Sequence, residues 1–229
     1  GDVPTFKIYD ASEDKYYDAV VNESPAYESF SVSNVIRMDA SFYQEFDLHE
    51  GANLVSFSVL PEDNSISSMM ESLDPGNNVI AVLTQEQAAS YQGDWGWLGS
   101  LTHFELDKGY WLIMNGSDEL SVQSCDGPLQ GQLVYNLSVG ANLISYPDKG
   151  YADISMAIPD DVEDSFVAVI TENGASLNTG NGWIGSVTNF VGGYGYWVIV
   201  DNDLSFSYKF DEVSGRDKSY FHAESLPSN

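Results

Sequence analysis

His49, His103 and His222 are the side chains best suited to acid–base chemistry at neutral pH in this sequence. A serine nucleophile needs such a base within hydrogen-bond reach. Ser100 lies near His103, in the block Trp97-Leu98-Gly99-Ser100-Leu101-Thr102. The same block returns as Trp183-Ile184-Gly185-Ser186-Val187-Thr188, where Asn189 stands in the place of the histidine. No Gly-x-Ser-x-Gly elbow occurs. Gly192-Gly193-Tyr194-Gly195 is glycine-rich, but neither a helix start nor a lysine follows it directly, so it is no phosphate cradle. Cys125 is the only cysteine, which excludes an internal disulfide. One cysteine and scattered histidines give no transition-metal spacing. The expectation is a chain with no catalytic residue, hence not an enzyme.

Carboxylates are the abundant functional groups: 35 acidic residues face 8 basic ones, for a formal net charge of -27. That field repels phosphate backbones and anionic lipid, so nucleic acid is not an expected partner. Its plainest meaning is solubility in a salty medium, where counterions screen the self-repulsion. A glycosidase would need two carboxylates at a set separation, and nothing here singles out such a pair; it remains a distant alternative. Calcium would need six to eight oxygens, commonly gathered on a loop, as a rough rule. The densest candidates are Asp160, Asp161, Glu163 and Asp164, and then Asp10, Glu13 and Asp14. Neither set matches an EF-hand loop. Solvated acidic loops are the simpler reading, with calcium the one cofactor left open and no other expected.

The aromatics give the sharper binding signal. Trp97, Trp111, Trp183 and Trp197 recur at matched positions of an internal repeat, so packing accounts for them. Trp95 is unmatched: its counterpart is Asn181. It lies in Gly93-Asp94-Trp95-Gly96, a polar turn with Tyr91 nearby. An exposed aromatic among polar neighbours is a platform for a sugar ring or a protein partner. The competing reading folds Trp95 over its own loop as local packing. Trp95 and Tyr91 are therefore the candidate binding residues.

The repeat itself dictates what positions them. Gly51-Ala52-Asn53-Leu54-Val55-Ser56 returns as Gly140-Ala141-Asn142-Leu143-Ile144-Ser145, and Ala81-Val82-Leu83-Thr84 returns as Ala168-Val169-Ile170-Thr171. With the tryptophan block and Gly109-Tyr110-Trp111, which returns as Gly195-Tyr196-Trp197, the blocks keep one order at a nearly constant offset. The expected modules are residues 46–122 and 135–208, joined by a linker at 123–134. Each starts with a strand after a glycine turn. A short helix follows, at 66–73 with Asp63 as its cap in the first copy, and at 154–158 after Asp153 in the second. β-branched runs at 79–84 and 166–171 read as buried strands. Trp97 and Trp183 are expected as core anchors, and Gly109 and Gly195 as turns into the last long strands. Residues 1–45 are expected to add a β-hairpin (5–9 and 16–21, about a polar turn at 11–14) and further strands at 30–38 and 41–46 to the first module's sheet. Residues 209–229 read as a polar tail. The fold class is mainly β with a minor α component, as two tandem homologous modules packed with pseudo-twofold symmetry. No apolar run approaches the roughly 20 residues needed to span a bilayer, so membrane insertion is not expected. Residues 1–20 show no charged stretch followed by an apolar one, so no leader is expected within the chain.

These blocks resemble modules of large secreted proteins of marine bacteria, notably Bacteroidota-like ones, and of structural proteins of marine phages. The shared pattern is a Gly-Asn-Leu-(Ile/Val)-Ser strand, a Trp-x-Gly-Ser-(Leu/Val)-Thr block and a Gly-Tyr-Trp strand. Here Ala52 and Ala141 separate the Gly from the Asn. Pro4-Thr5-Phe6-Lys7-Ile8-Tyr9-Asp10-Ala11-Ser12 is similar to a segment that accompanies such modules, and the resemblance spans most of residues 4–208. It implies an extracellular, cell-surface or virion-surface setting within a larger assembly, and it brings no catalytic residues. The expected function is a non-catalytic structural or adhesive surface module with a protein or glycan partner. The alternative is a carbohydrate-binding module working through Trp95 and Tyr91.

Overall fold

The computed structural model describes residues 4–11, 14–21, 35, 37–127 and 133–210, and the fold is mainly β. Three strands open the chain: β1 (Phe6–Asp10), β2 (Lys15–Val21) and β3 (Met38–Ala40). Among the described residues they form a separate antiparallel sheet of order β1-β2-β3 and not the expected extension of the first module's sheet, whereas the strand expected at 41–46 does pair within the first copy. The turn between β1 and β2 lies partly, and the strand expected at 30–38 largely, outside the described residues.

The first copy contains β4 (Phe42–Leu48), β5 (Gly51–Ser56), α1 (Ile66–Met69), β6 (Val79–Leu83), β7 (Ala88–Tyr91), β8 (Trp97–Gly99), β9 (Gly109–Met114) and β10 (Asp118–Ser124). The second contains β11 (Tyr135–Leu137), β12 (Gly140–Ile144), β13 (Tyr151–Asp153), α2 (Ile154–Ala157), α3 (Asp160–Glu163), β14 (Phe166–Thr171), β15 (Gly174–Asn178), β16 (Trp183–Gly185), β17 (Asn189–Val191), β18 (Tyr196–Val200) and β19 (Leu204–Phe206). The main sheets are five-stranded and antiparallel, ordered β5-β9-β6-β7-β8 and β12-β18-β14-β15-β16. These orders are the same once the repeat is aligned. Both sheets also carry a register shift at the same place, between Val79 and Ala81 and between Phe166 and Ala168. The flanking strands pair as β4 with β10 and β11 with β19.

Each repeated block has a local cause. Asn53 accepts from the His49 N–H and donates to the His49 carbonyl, clamping the turn that Gly51 makes at φ +104°. Asn142 does the same with Ser138 around Gly140, at φ +102°. Gly99 and Gly185 pass so close to the preceding strand that a Cβ would sit 2.1 Å from the Ala88 or Ala175 carbonyl oxygen. The adjacent Ser100 and Ser186 hydroxyls accept from the Ala88 and Ala175 N–H groups. In the last block, Tyr110 and Tyr196 are buried, and their hydroxyls accept from the Glu105 and Val191 amides at 2.7 Å. Burial pushes both phenols far above their ordinary pKa.

The two cores match as well. Phe57, Phe104 and Tyr110 pack edge-on or tilted in the first, and Tyr146, Phe190 and Tyr196 occupy the corresponding places in the second. The first core adds Met70 and Leu73 from the helical segment, and the second adds Tyr208, beyond its last strand. The helix cap of the first copy is Ser65, whose hydroxyl accepts from the Ser68 amide; Asp63 instead accepts from the Ser65 amide. Asp153 caps α2 as expected.

The copies meet along strands β5 and β12. The outer edge of β5 bonds to the second copy: the Ser56 amide donates to Gly193 O at 2.9 Å and the Leu54 amide to Glu172 Oε2 at 3.1 Å. The outer edge of β12 bonds to the first: the Ser145 amide donates to Asp107 O at 3.2 Å and the Leu143 amide to Gln85 Oε1 at 2.9 Å. Every one of these contacts has its counterpart with the copies exchanged. The glycines of the Gly-Tyr-Trp block sit at this crossing and do not serve only as turns. A Cβ on Gly109 would lie 2.8 Å from Leu143 Cδ1, and one on Gly195 would lie 2.9 Å from Leu54 Cδ1.

Gly109→Ala and Gly195→Ala should therefore each destabilise the protein, by about 1–3 kcal/mol as overpacking does. Urea unfolding measures this, and an unchanged midpoint for both variants would contradict the contact. The same crossing is pH-dependent. His49 Nδ1 lies 2.7 Å from Glu50 O and Nε2 lies 2.8 Å from Glu172 Oε1, so only the protonated ring can donate to both. The Glu50 carbonyl first, and the Glu172 carboxylate second, raise its pKa. A raised folded-state pKa gives stabilisation that is complete below the unfolded value, about 6.5, and is lost as pH climbs through the folded value. Thermal midpoints of wild type and His49→Gln should converge from about pH 6 to pH 8, with wild type ahead only at the acidic end; a constant difference would refute the linkage.

Candidate functional site

The candidate site lies at the far end of the first sheet, where β7 turns into β8. Residues 92–96 form that turn, and Gly93–Trp95 make a single 3-10 turn within it. Gly93 and Gly96 hold φ of +57° and +68°, conformations that glycine adopts without strain. Amide bonds from Gly96 to Gly93 O and from Gln92 to Gly96 O close the loop on itself. The Trp95 ring takes no part in this closure. It is 81% exposed, the largest value among the exposed large hydrophobic side chains of the described residues, so it does not fold over its own loop.

Tyr91 ends β7 and is only partly exposed. Its ring meets Trp97 edge-to-face at a centroid distance of 5.7 Å. It also lies against Gly76, where a Cβ would lie 2.6 Å from Tyr91 Cδ1. Beside it opens a shallow groove of about 590 Å³, lined by Pro75, Gly76, Asn77, Tyr91, Asp94 and adjoining backbone. Asn77 is braced by Asp74, to which its amide donates. Neither the Tyr91 hydroxyl nor the Asp94 carboxylate hydrogen-bonds to another described residue. The sequence expectation thus pairs two residues of unequal character: Tyr91 is a wall of the groove, and Trp95 is exposed on the turn between Asp94 and Gly96, which line it.

The matching corner of the second copy is closed. By strand register Tyr91 corresponds to Asn178, since both face the tryptophan that opens the next strand. Asn178 donates to the Glu163 carbonyl and accepts from the Gly180 amide. Glu163 stands three residues before β14, as Gly76 stands before β6, and its carboxylate accepts from Trp183 Nε1 at 2.8 Å. In the first copy Gly76 supplies no such carboxylate, and the buried Trp97 Nε1 has no partner. The loop is also shorter in the second copy, at residues 179–182 against 92–96.

The tryptophans expected as core need correction. Trp97 and Trp183 are partly buried at the rim of their cores, packed against them without being enclosed. Trp111 and Trp197 are half-buried and belong to neither core. Strand alternation puts Tyr110, Leu112 and Met114 inward, so Trp111 lies on the opposite face, flanked across the sheet by Leu54 and Leu83. Trp197 lies likewise between Leu143 and Ile170.

The remaining candidates have other partners. His103 Nδ1 contacts Thr102 Oγ1 at 3.0 Å, while Ser100 Oγ bonds to the Ala88 amide. Asp160, Asp161 and Glu163 form α3, not a loop; Asp160 pairs with Lys209, and Glu163 holds Trp183. Among the described residues no group of three or more His, Cys, Asp or Glu is placed to hold a metal ion. Glu13 and His222 lie outside the described residues. No helix among them is long and apolar enough to cross a membrane.

No protein family, no curated protein and no solved structure matches this chain.

Trp95→Ala should leave stability within about 0.5 kcal/mol of wild type, as for a surface substitution. Trp97→Ala, which removes a side chain packed on the core, should cost about 2–3 kcal/mol. Denaturant unfolding separates the two, and a Trp95→Ala loss equal to that of Trp97→Ala would make Trp95 a packing residue.

Proposed function

We propose that this chain is a non-catalytic structural or adhesive module that works at an extracellular, cell or virion surface as part of a larger assembly. The observation that carries the reading is Trp95, 81% exposed at a position where the second copy has Asn181 and no aromatic. Repeated residues are occupied in holding two equivalent scaffolds together: Asn53 and Asn142 clamp turns, Ser100 and Ser186 tie strands, and Gly109 and Gly195 allow the copies to touch. The exchanged contacts that β5 and β12 each make with loops of the opposite copy support a pseudo-twofold arrangement of the copies. A rigid scaffold carrying one projecting aromatic is a binding design, since a pre-ordered platform limits the entropy lost on contact. The charge of -27 favours a screening, salty medium and keeps the module clear of nucleic acid and anionic lipid. The resemblance of the repeated blocks to those of secreted and virion modules points the same way.

The test is retention without turnover. Labelled wild-type protein is applied at seawater-like salt to immobilised polysaccharides, bacterial cell walls and purified outer-surface proteins. Wild type should be retained on at least one surface and release no reducing ends or peptides. Trp95→Ala should wash off. Catalytic release of product, or retention that ignores Trp95, would overturn the reading.

A further inference from the structure

We propose that the groove bordered by Tyr91, Gly76, Asn77 and Asp94, together with the exposed Trp95 between groove residues Asp94 and Gly96, binds a neutral pyranose glycan; this rests on the adhesive reading above and gives its partner a chemical class. The argument begins with the difference between two corners built on the same strands. In the second copy the polar groups satisfy one another: Asn178 with Glu163 and Gly180, and Glu163 with Trp183. In the first copy Gly76 stands in the place of the carboxylate-bearing Glu163, and Tyr91 lies against the space that a side chain would fill. The exchange opens a groove and leaves the Tyr91 hydroxyl and the Asp94 carboxylate with no hydrogen-bond partner among the described residues. It also leaves Trp97 Nε1 buried without a partner, a cost that the second copy avoids. The longer turn carries Trp95, exposed to solvent, between Asp94 and Gly96 of the groove lining.

Each part suits a sugar. A pyranose offers an apolar C–H face and a rim of hydroxyls, so it needs a flat aromatic with donors and acceptors alongside. Trp95 and Tyr91 supply aromatic surface, Asp94 accepts, and the Tyr91 hydroxyl donates or accepts. Asn77, fixed through Asp74, adds an oriented amide. The volume of about 590 Å³ suits one or two rings and lies inside the range of about 300–1,000 Å³ common for small-ligand sites. Charge selects among glycans. Asp94 in the groove, on a chain of net charge -27, disfavours uronate and sulfate polymers. A cationic polymer would adhere over the whole acidic surface and be released by salt. A neutral glycan recognised by stacking is held with little salt dependence.

The experiment is affinity electrophoresis of the full chain through gels containing laminarin, xylan, galactomannan, alginate or carrageenan, at low and at seawater-like salt. At least one neutral polymer should retard wild type equally at both salts, and alginate and carrageenan should not. Trp95→Ala should weaken retardation roughly 30-fold or more, as loss of a stacking anchor does. Tyr91→Phe, which keeps the ring on Gly76 and Trp97, should weaken it about fivefold through the lost hydroxyl. Ile184→Ser, an exposed change at the corresponding edge of the second copy, should have no effect. Trp95-dependent binding to an anionic polymer or to a protein surface alone would overturn the neutral-glycan assignment and leave the adhesive reading standing. Retardation unaffected by Trp95→Ala, or no binding to any glycan or surface protein, would overturn both.

Discussion

The rest of the molecule depends on one close approach, where the backbone at Gly109 meets Leu143 and the backbone at Gly195 meets Leu54. A sheet edge presents a row of unpaired amides and carbonyls that must be covered or solvated. Here the outer edges of β5 and β12 are covered by each other's copies, through Ser56, Leu54, Ser145 and Leu143. Only glycine lets the main chains come near enough for those bonds. Two small cores, each bounded by one five-stranded sheet, are thereby joined along the strands that begin them.

The repeat was legible because its residues are held by local rules. A glycine at positive φ followed by an asparagine that clamps the preceding turn leaves a mark in sequence, and it appears in both copies. So does alternation along a strand. Less legible was which face of a strand the core would take. Tyr110-Trp111 puts two aromatics on opposite faces, and residue type alone favours the larger one as the core member; the backbone amide that reaches the Tyr110 hydroxyl decides otherwise. The role of Gly109 was hidden for a related reason: its steric limit comes from Leu143, distant in sequence. The first two N-terminal strands and their hairpin pairing were recognisable, but β3, which falls between two expected strands, and its addition to a sheet apart from the first copy's are set by tertiary placement.

The candidate site was legible through mismatch. Trp95 could be singled out because the repeat supplies an internal control, and the side chain opposite it in the second copy is Asn181. Gly76 could not be singled out in that way, since its counterpart Glu163 sits on a helical turn of different shape. Only strand register brings the two to one place, and only then does the pairing of Tyr91 with Gly76 read as an exchange for Asn178 with Glu163. One copy keeps its corner closed and the other opens it, a division of labour that duplication permits because the scaffold is carried twice.

The strands β8 and β16 end their sheets, and each spans only three residues. Both finish on a glycine pressed against the strand before it. An edge this short offers an incoming chain few ladder bonds, which limits fibril-like stacking even though Leu98 and Ile184 are exposed there. In the surface role proposed above, crowding at high local density would bring that hazard constantly. Truncated outer strands, together with the acidic surface, let many molecules stand side by side without knitting into a common sheet.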